Sequence, residues 1–402
     1  MGDRLDGADR DAWRRLAEAC GNPFVTPEWV AATAGGVAGG GSGDALAAEP
    51  LLAVARDEGG ELRGVLPLVE ARWRGVTALR FPGARLGDRF HPAAGEADGP
   101  EVARAIAQAL AAAETPAADS GDTAGPGRMA GLPLVLDKCD AAGGWLTALE
   151  SALGGSRGAR AVTLKRDGLP WISLAGLDWD GYLAGRSRNL RQRIGRMERK
   201  LIREHGLTAR ATTGVSEFDA DFDTLFRLHD ARRDTVGGSS LDSEAERRRL
   251  RGFCRAALGR GWLRLRILEC DGAPVAAFCG WSIGGRYSFY QGGFDPVWAG
   301  RSIGLVSLAL AIRDAIEEGA SEFDLLLGDE EYKQRLATGQ RQVASVVVAP
   351  PLSAAAAVAG TERLARRTRA CARDARDRTR TAAARVRTGS ARETRAGGGG
   401  AR

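Results

Sequence analysis

The stretch that most constrains the fold runs from Trp262 to Phe294: "WLRLRILEC", then Asp271-Gly272, "APVAAFCGWSI", then Gly284-Gly285, "RYSFYQGGF". Three apolar, β-rich runs separated by two-residue Gly-containing turns can only be antiparallel neighbours, because a tight turn leaves no chain for a crossover. A three-stranded meander therefore frames this part of the chain. After it, Leu305, Leu308, Ala309, Ile312 and Ile316 recur with helical period, predicting a helix over 303–318. A strand over 322–327, a short helix over 329–337 and a strand over 342–349 follow. Before the meander stand a strand over 207–213 and helices over 218–234 and 242–258. The predicted order is β-α-α-β-β-β-α-β-α-β.

The first half repeats this order less clearly. Helices are predicted over 11–20 and 27–34, strands over 51–56, 62–72 and 76–81, a helix over 100–113, a strand over 132–137, a helix over 144–153 and a strand over 161–166. Gly/Ser/Pro-rich stretches at 34–48 and 114–127 read as flexible loops. The expected class is α/β (α+β), as two domains in tandem, each a mixed and mostly antiparallel sheet flanked by helices. The boundaries are 1–175, a basic inter-domain helix over 176–206, 207–350, and an Arg/Ala-rich flexible tail over 351–402.

Charge is distributed unevenly. The chain carries +6 overall, and residues 361–402 hold 13 Arg against 4 acids, so residues 1–360 sum to −3. The body is near neutral, and basicity gathers in the tail and in 186–203, which has eight Lys/Arg against Glu198 alone. Leu190, Ile194, Met197 and Leu201 form a narrow apolar stripe on that segment, which predicts a helix docked on a core. Neither basic segment contains aromatic residues for base stacking. The six Cys are scattered with no metal-ligand spacing, so neither a metal site nor a disulfide framework is expected. No apolar run suits a membrane span or signal peptide, and the expected location is the cytoplasm.

The informative junction is "FYQGGFDPVWAGRSIGLVSLALAIRDAIEEG". A strand ends at Gln291-Gly292-Gly293 and a helix opens at Arg301-Ser302-Ile303-Gly304. A helix start presents free amides and positive potential, and a cation with a glycine beside it suits a diphosphate. An ordinary Ser-capped helix satisfies the same residues.

With the element order added, this junction resembles the GNAT superfamily of acyl-CoA N-acyltransferases. Arg301 and Gly304 match its Gln/Arg-x-x-Gly-x-Gly/Ala turn, while Val306 stands where the second small residue belongs. "GYLAGRSRNLRQRIGRMERKL", "CDGAPVAAFCGWSIGGRYSFYQGGFDP" and "FDLLLGDEEYKQRLA" are similar to the GNAT-like family associated with bacterial cellulose and exopolysaccharide biosynthesis, related to Fem-type transferases and built as tandem GNAT-like units. The resemblance implies acetyl-CoA or another acyl-CoA as co-substrate, bound by Gln291, Gly292, Gly293, Arg301, Ser302, Ile303 and Gly304, with no metal. It implies an N-acyltransferase with one active site, in the second half. Tyr332 is the expected acid for the leaving thiolate and Asp324 or Glu331 (or Glu330) the expected base, with Lys333 pairing a carboxylate or an anionic substrate. Arg188, Arg191 and His229 are the candidate acceptor-side residues. The acceptor would be an amine of a small molecule, an amino sugar, or an envelope or polysaccharide precursor. Two alternatives stay open: a Fem-like transferase with an aminoacyl-tRNA donor, and a non-catalytic binding protein with a degenerate GNAT pair.

Overall fold

The computed structural model describes residues 5–34, 49–112, 132–140, 142–236, 241, 243–328 and 330–369. In the first half, α1 (Gly7–Ala19) and α2 (Pro27–Thr33) precede β1 (Leu51–Arg56), β2 (Leu62–Trp73), β3 (Val76–Arg80) and the short β4 (Ala93–Ala94). Then come α3 (Gly99–Ala112), β5 (Leu134–Asp140), α4 (Trp145–Arg157) and β6 (Arg160–Ser173). Helices α5 (Trp179–Ala184) and α6 (Arg188–His205) lead to β7 (Thr208–Ala211), α7 (Val215–Val236) and α8 (Glu244–Gly259). The meander is β8 (Leu263–Cys270), β9 (Ala273–Ile283) and β10 (Arg286–Phe294), followed by α9 (Ile303–Glu317), β11 (Glu322–Asp324), α10 (Glu331–Leu336) and β12 (Gly339–Ala349). The turns of the meander are as predicted: Asp271 and Gly272 take φ of 51° and 75°, and Gly284 and Gly285 take 56° and 72°.

The sequence β1-β2-β3-α3-β5-α4-β6 recurs as β8-β9-β10-α9-β11-α10-β12. In each half the third and fourth major strands run parallel, β3 with β5 and β10 with β11, and every other pairing is antiparallel. The two expected units do not keep separate sheets. They share one sheet in the order β1-β2-β3-β5-β12-β6-β11-β10-β9-β8-β7. Each half gives its last strand to the other: β12 lies beside β5, and β6 lies beside β11. The centre is the long β6–β12 pair, from Gly339 opposite Trp171 to Ala349 opposite Arg160.

A buried ionic cluster ties the exchanged strands together. Arg341 on β12 donates to Glu322 at 2.6 Å and to Asp324 at 3.0 Å, both on β11. Arg89 from the first half approaches Asp324 at 3.8 Å and Asp140 at 3.9 Å. The Arg/Ala-rich tail begins as a helix. Residues 354–369 are helical, and Ala355 and Ala359 pack with Trp73, Val135 and Val347 on the sheet. Residues 370–402 lie outside the described residues. Among the described residues, no helix is long and apolar enough to cross a membrane.

Candidate active site

Helix α6 docks as its stripe predicts. Leu190, Ile194 and Leu201 are buried, and Ser187 caps the helix by accepting from the Leu190 amide. Leu190 and Ile194 join the cluster of Phe278, Phe289 and Leu308, and Met197 and Leu201 join that of Ile303 and Val306. This docking closes one side of a cleft of about 640 Å³. The other walls come from β9 and β10 (Ala277, Phe278, Phe289, Gly292, Gly293, Phe294), the start of α9 (Ser302, Gly304, Leu305, Ser307, Leu308), Arg232 of α7, and Tyr332 and Arg335 of α10.

The α9 start is arranged to meet an anion. Ser302 stands in the left-handed region (φ 57°) and makes no side-chain cap; the Leu305 amide donates to the Ser302 carbonyl at 3.0 Å, and the Ile303 and Gly304 amides open the helix without a side-chain cap. The Ser302 hydroxyl instead accepts from Arg193 Nε at 3.1 Å and Nη2 at 2.9 Å. Gly304 serves packing as well as access, since a Cβ there would lie 3.1 Å from the Phe294 ring. Val306 does not crowd the turn, because it points into the apolar cluster behind the helix.

Across the cleft, α7 presses on β10. A Cβ on Gly293 would lie 2.3 Å from the His229 backbone nitrogen, so only glycine admits this approach. Three cation–π contacts hold α8 to α7, with Arg247 over Phe226, Arg251 over Phe222 and Arg255 over Phe218, at 4.7, 4.9 and 5.3 Å. The clamp aims Arg232 into the cleft, where it lies 3.4 Å from the Gly292 carbonyl and 5.5 Å from the centre of the Phe294 ring, and hydrogen-bonds Tyr332. Burial, aided by the charge of Glu330, pushes the Tyr332 hydroxyl up to about 12, with Arg232 pulling the other way. Tyr332 therefore keeps its proton at neutral pH. Helix α10 is fixed from below by Tyr182 and Arg186, which donate to the Leu336 carbonyl at 3.1 and 3.0 Å.

The structure brings together Gly292, Gly293, Ser302, Gly304 and Tyr332 of the sequence-predicted residues. The others lie elsewhere. Arg301 turns out of the cleft, its guanidinium 5.0 Å from the centre of the Trp298 ring, because it ends a 3₁₀ turn before the helix begins. Ile303 is wholly buried behind α9, and Gln291 lies on β10 opposite Cys279 without lining the cleft. Asp324 is on the wrong face. Its neighbour Phe323 packs with Tyr287 in the apolar cluster under the cleft, and strand alternation sends Asp324 the other way, to Arg341 and Arg89. Burial raises its carboxyl against the pull of those two guanidiniums. Lys333 is buried and donates to the Leu327 carbonyl at 2.7 Å, with Glu330 3.3 Å away, which makes it a loop tie. Glu331 is exposed and pairs with Arg335 at 2.5 Å. Arg188 is exposed outside the cleft lining, and Arg191 donates to the Ala184 carbonyl at 3.2 Å. His229 is half-buried behind Gly293, bonded to the Gly292 carbonyl, with its imidazole held below the usual range mainly by burial.

Arg193, Arg232 and Arg335, none of them singled out in the sequence, supply the charge of the cleft. Arg193 had a readable signal: it precedes Ile194 of the apolar stripe. Arg232 had none, being one of three Arg in "HDARRD" and its neighbour "RLHD". Among the described residues the cleft lining contains no carboxylate, and no cluster of three or more His, Cys, Asp or Glu could hold a metal ion.

Residues 188–334 match the family model described as an acetyltransferase (GNAT) domain. A comparison with curated proteins finds no match. Among solved structures, FemX superposes with a TM-score of 0.55 at 11% identity, over 84% of this chain and 95% of that one. The C-terminal domain (DUF2156) assigned to a lysylphosphatidylglycerol synthetase of Agrobacterium fabrum gives 0.52 at 14%, over 87% and 94%. L-PGS from Bacillus licheniformis gives 0.51 at 14%, over 90% and 98%. At these identities the likeness is one of fold. Residues 188–334 thus carry the match to a GNAT-type acetyltransferase domain, and the two halves together share the fold of these solved structures.

Proposed function

We propose that the protein is an acyl-CoA-dependent N-acyltransferase acting on an amine acceptor. The observation that carries this reading is the pairing of an uncapped α9 start with Arg193 at one end of an apolar cleft that runs along β10. Arg193, Ser302 and the first-turn amides of α9 would hold the pyrophosphate. Phe278, Phe289 and Leu308 would flank the apolar arm. The co-substrate supplies a thioester carbonyl for the amine to attack. Tyr332 holds a proton at its hydroxyl for the departing sulfur and regains one from solvent. With no carboxylate among the described lining residues, the acceptor proton passes to water. The guanidiniums favour this loss, since positive charge lowers the pKa of a nearby ammonium.

Calorimetry with acetyl-CoA and longer acyl-CoAs tests the reading: wild type binds, and Arg193→Glu binds at least about tenfold more weakly, as expected for loss of a charge-assisted contact. Absence of binding by the wild type removes the acyl-CoA reading.

A second reading, an aminoacyl-tRNA donor, draws on the resemblance to Fem-type transferases and on the exposed basic residues of α6. Arg188, Arg196, Arg199 and Arg203 are all solvent-facing. Binding of tRNA that falls steeply with salt, together with no affinity for acyl-CoA, would favour it.

A further inference from the structure

We infer that the cleft recognises an acceptor carrying an oxyanion, a carboxylate or a phosphate, held at the Tyr332 end by Arg232 and Arg335. This rests on the reading of the site as a GNAT active site whose donor occupies the α9 start. Three separate elements, α6, α7 and α10, each send one guanidinium into the same lining, and no carboxylate of the described lining offsets them. Arg193 is committed to the α9 start through Ser302. The other two flank Tyr332: Arg232 hydrogen-bonds it, and Arg335 lies one helical turn further along α10.

An amine reaches neutral solution as an ammonium ion. Three guanidiniums repel it, and among the described lining residues no carboxylate attracts a simple cationic amine; Glu330, whose charge reaches Tyr332, and Glu331 lie outside that lining. An acceptor with its own oxyanion reverses that balance. Guanidinium forks hold the oxyanion in fixed geometry, while the same positive field makes the attached ammonium easier to deprotonate. Binding and activation of the acceptor then come from one arrangement of charge. The Arg335–Glu331 pair does not oppose this. Both side chains are more than half exposed, and such solvent-screened pairs are weak, so Arg335 can exchange partners.

The test uses the full chain saturated with coenzyme A, which fills the donor site. Thermal unfolding is followed with added inorganic phosphate or malonate against chloride at equal ionic strength. The expected result is a rise of about 2 °C or more with one of the two oxyanions, by preferential binding to the folded state, that disappears in Arg232→Gln/Arg335→Gln. The response to phosphate against malonate distinguishes the two sources of the oxyanion. Calorimetric affinity of that variant for coenzyme A stays within about threefold of wild type. Amino acids are then compared with their amides, and glucosamine 6-phosphate with glucosamine, as acceptors for acetyl-CoA, with the charged member preferred by roughly tenfold in kcat/KM. No rise over chloride, or preference for the uncharged member, overturns the inference while leaving the donor site intact. Loss of coenzyme A affinity in the double variant also overturns it, by assigning both guanidiniums to the donor. Failure of the wild type to bind coenzyme A is seen first and removes the underlying reading.

Discussion

Arg193 reaches from the docked helix α6 to the Ser302 hydroxyl at the mouth of α9, with contacts of 3.1 Å from Nε and 2.9 Å from Nη2. The hydroxyl that would ordinarily cap the helix is thereby turned to a guanidinium, and a cation is fixed where the uncapped amides converge. Arg301, the residue that sequence reasoning favours for this place, lies over Trp298 instead. Arg193→Ala should therefore weaken acetyl-CoA binding by roughly 1.5–3 kcal/mol, the range for a hydrogen bond to a charged group. Arg301→Ala should leave it within about threefold. Calorimetry on both variants checks the contrast, and equal losses would return the pyrophosphate contact to Arg301.

Tyr332→Phe should lower kcat by about 10²-fold, the scale of a lost general acid, with the donor dissociation constant unchanged. Single-turnover thiol release at saturating donor measures this directly. A variant as fast as wild type would leave the leaving group to be protonated by water.

Gly293→Ala places a methyl group 2.3 Å from the His229 backbone nitrogen. Because backbone cannot rotate away as a side chain does, α7 must move off β10. The expected cost is about 1–3 kcal/mol, as for overpacking, together with loss of activity because Arg232 moves with the helix. Denaturant melts and kcat on the same preparation check both.

Asp324→Asn should unfold at lower denaturant without a specific kinetic defect. The carboxylate sits among Arg341 and Arg89, and removing one member of a buried ionic cluster leaves the others uncompensated, at a cost of roughly 3 kcal/mol. Activity per folded molecule within a few-fold of wild type is expected; a fall of 10²-fold without destabilisation would restore Asp324 as the base.

His91 ties stability to pH. Asn22 donates to its Nε2 at 2.8 Å, and its Nδ1 donates to the Pro92 carbonyl at 2.8 Å. Both ring nitrogens are thus satisfied in the neutral form, and a proton on Nε2 would face the Asn22 amide donor. Burial, with the charge of Arg89, lowers the imidazole to about 4. A folded-state pKa below the unfolded value of about 6.5 means that only the unfolded chain takes up the proton as pH falls. The His91 contribution is present above about pH 6.5 and is lost progressively down to about pH 4, on the order of 2–3 kcal/mol. Unfolding midpoints from pH 7.5 to 4.5 should show this slope, and His91→Gln should flatten it.

What the sequence determined by itself is local. Gly-containing two-residue turns imposed the β8–β10 meander, and helical spacing of apolar residues marked α9 and the docked face of α6. Each follows from backbone geometry over a few residues, and so does the element order that points to a GNAT domain. Tertiary structure alone decided the rest. The exchange of β6 and β12 depends on hydrogen bonds between strands far apart in sequence, as where Ser173 faces Glu322 and Trp171 faces Gly339, and no local pattern encodes that choice of partner. Alternation put Phe323 and Asp324 on opposite faces of β11, but only the packing of α9 on one face decided which of them lies toward the cleft. For the same reason a cation was expected at the start of α9 on the residue nearest in sequence. The one that fills the place, Arg193, is 109 positions from Ser302, brought there by the burial of Leu190 and Ile194.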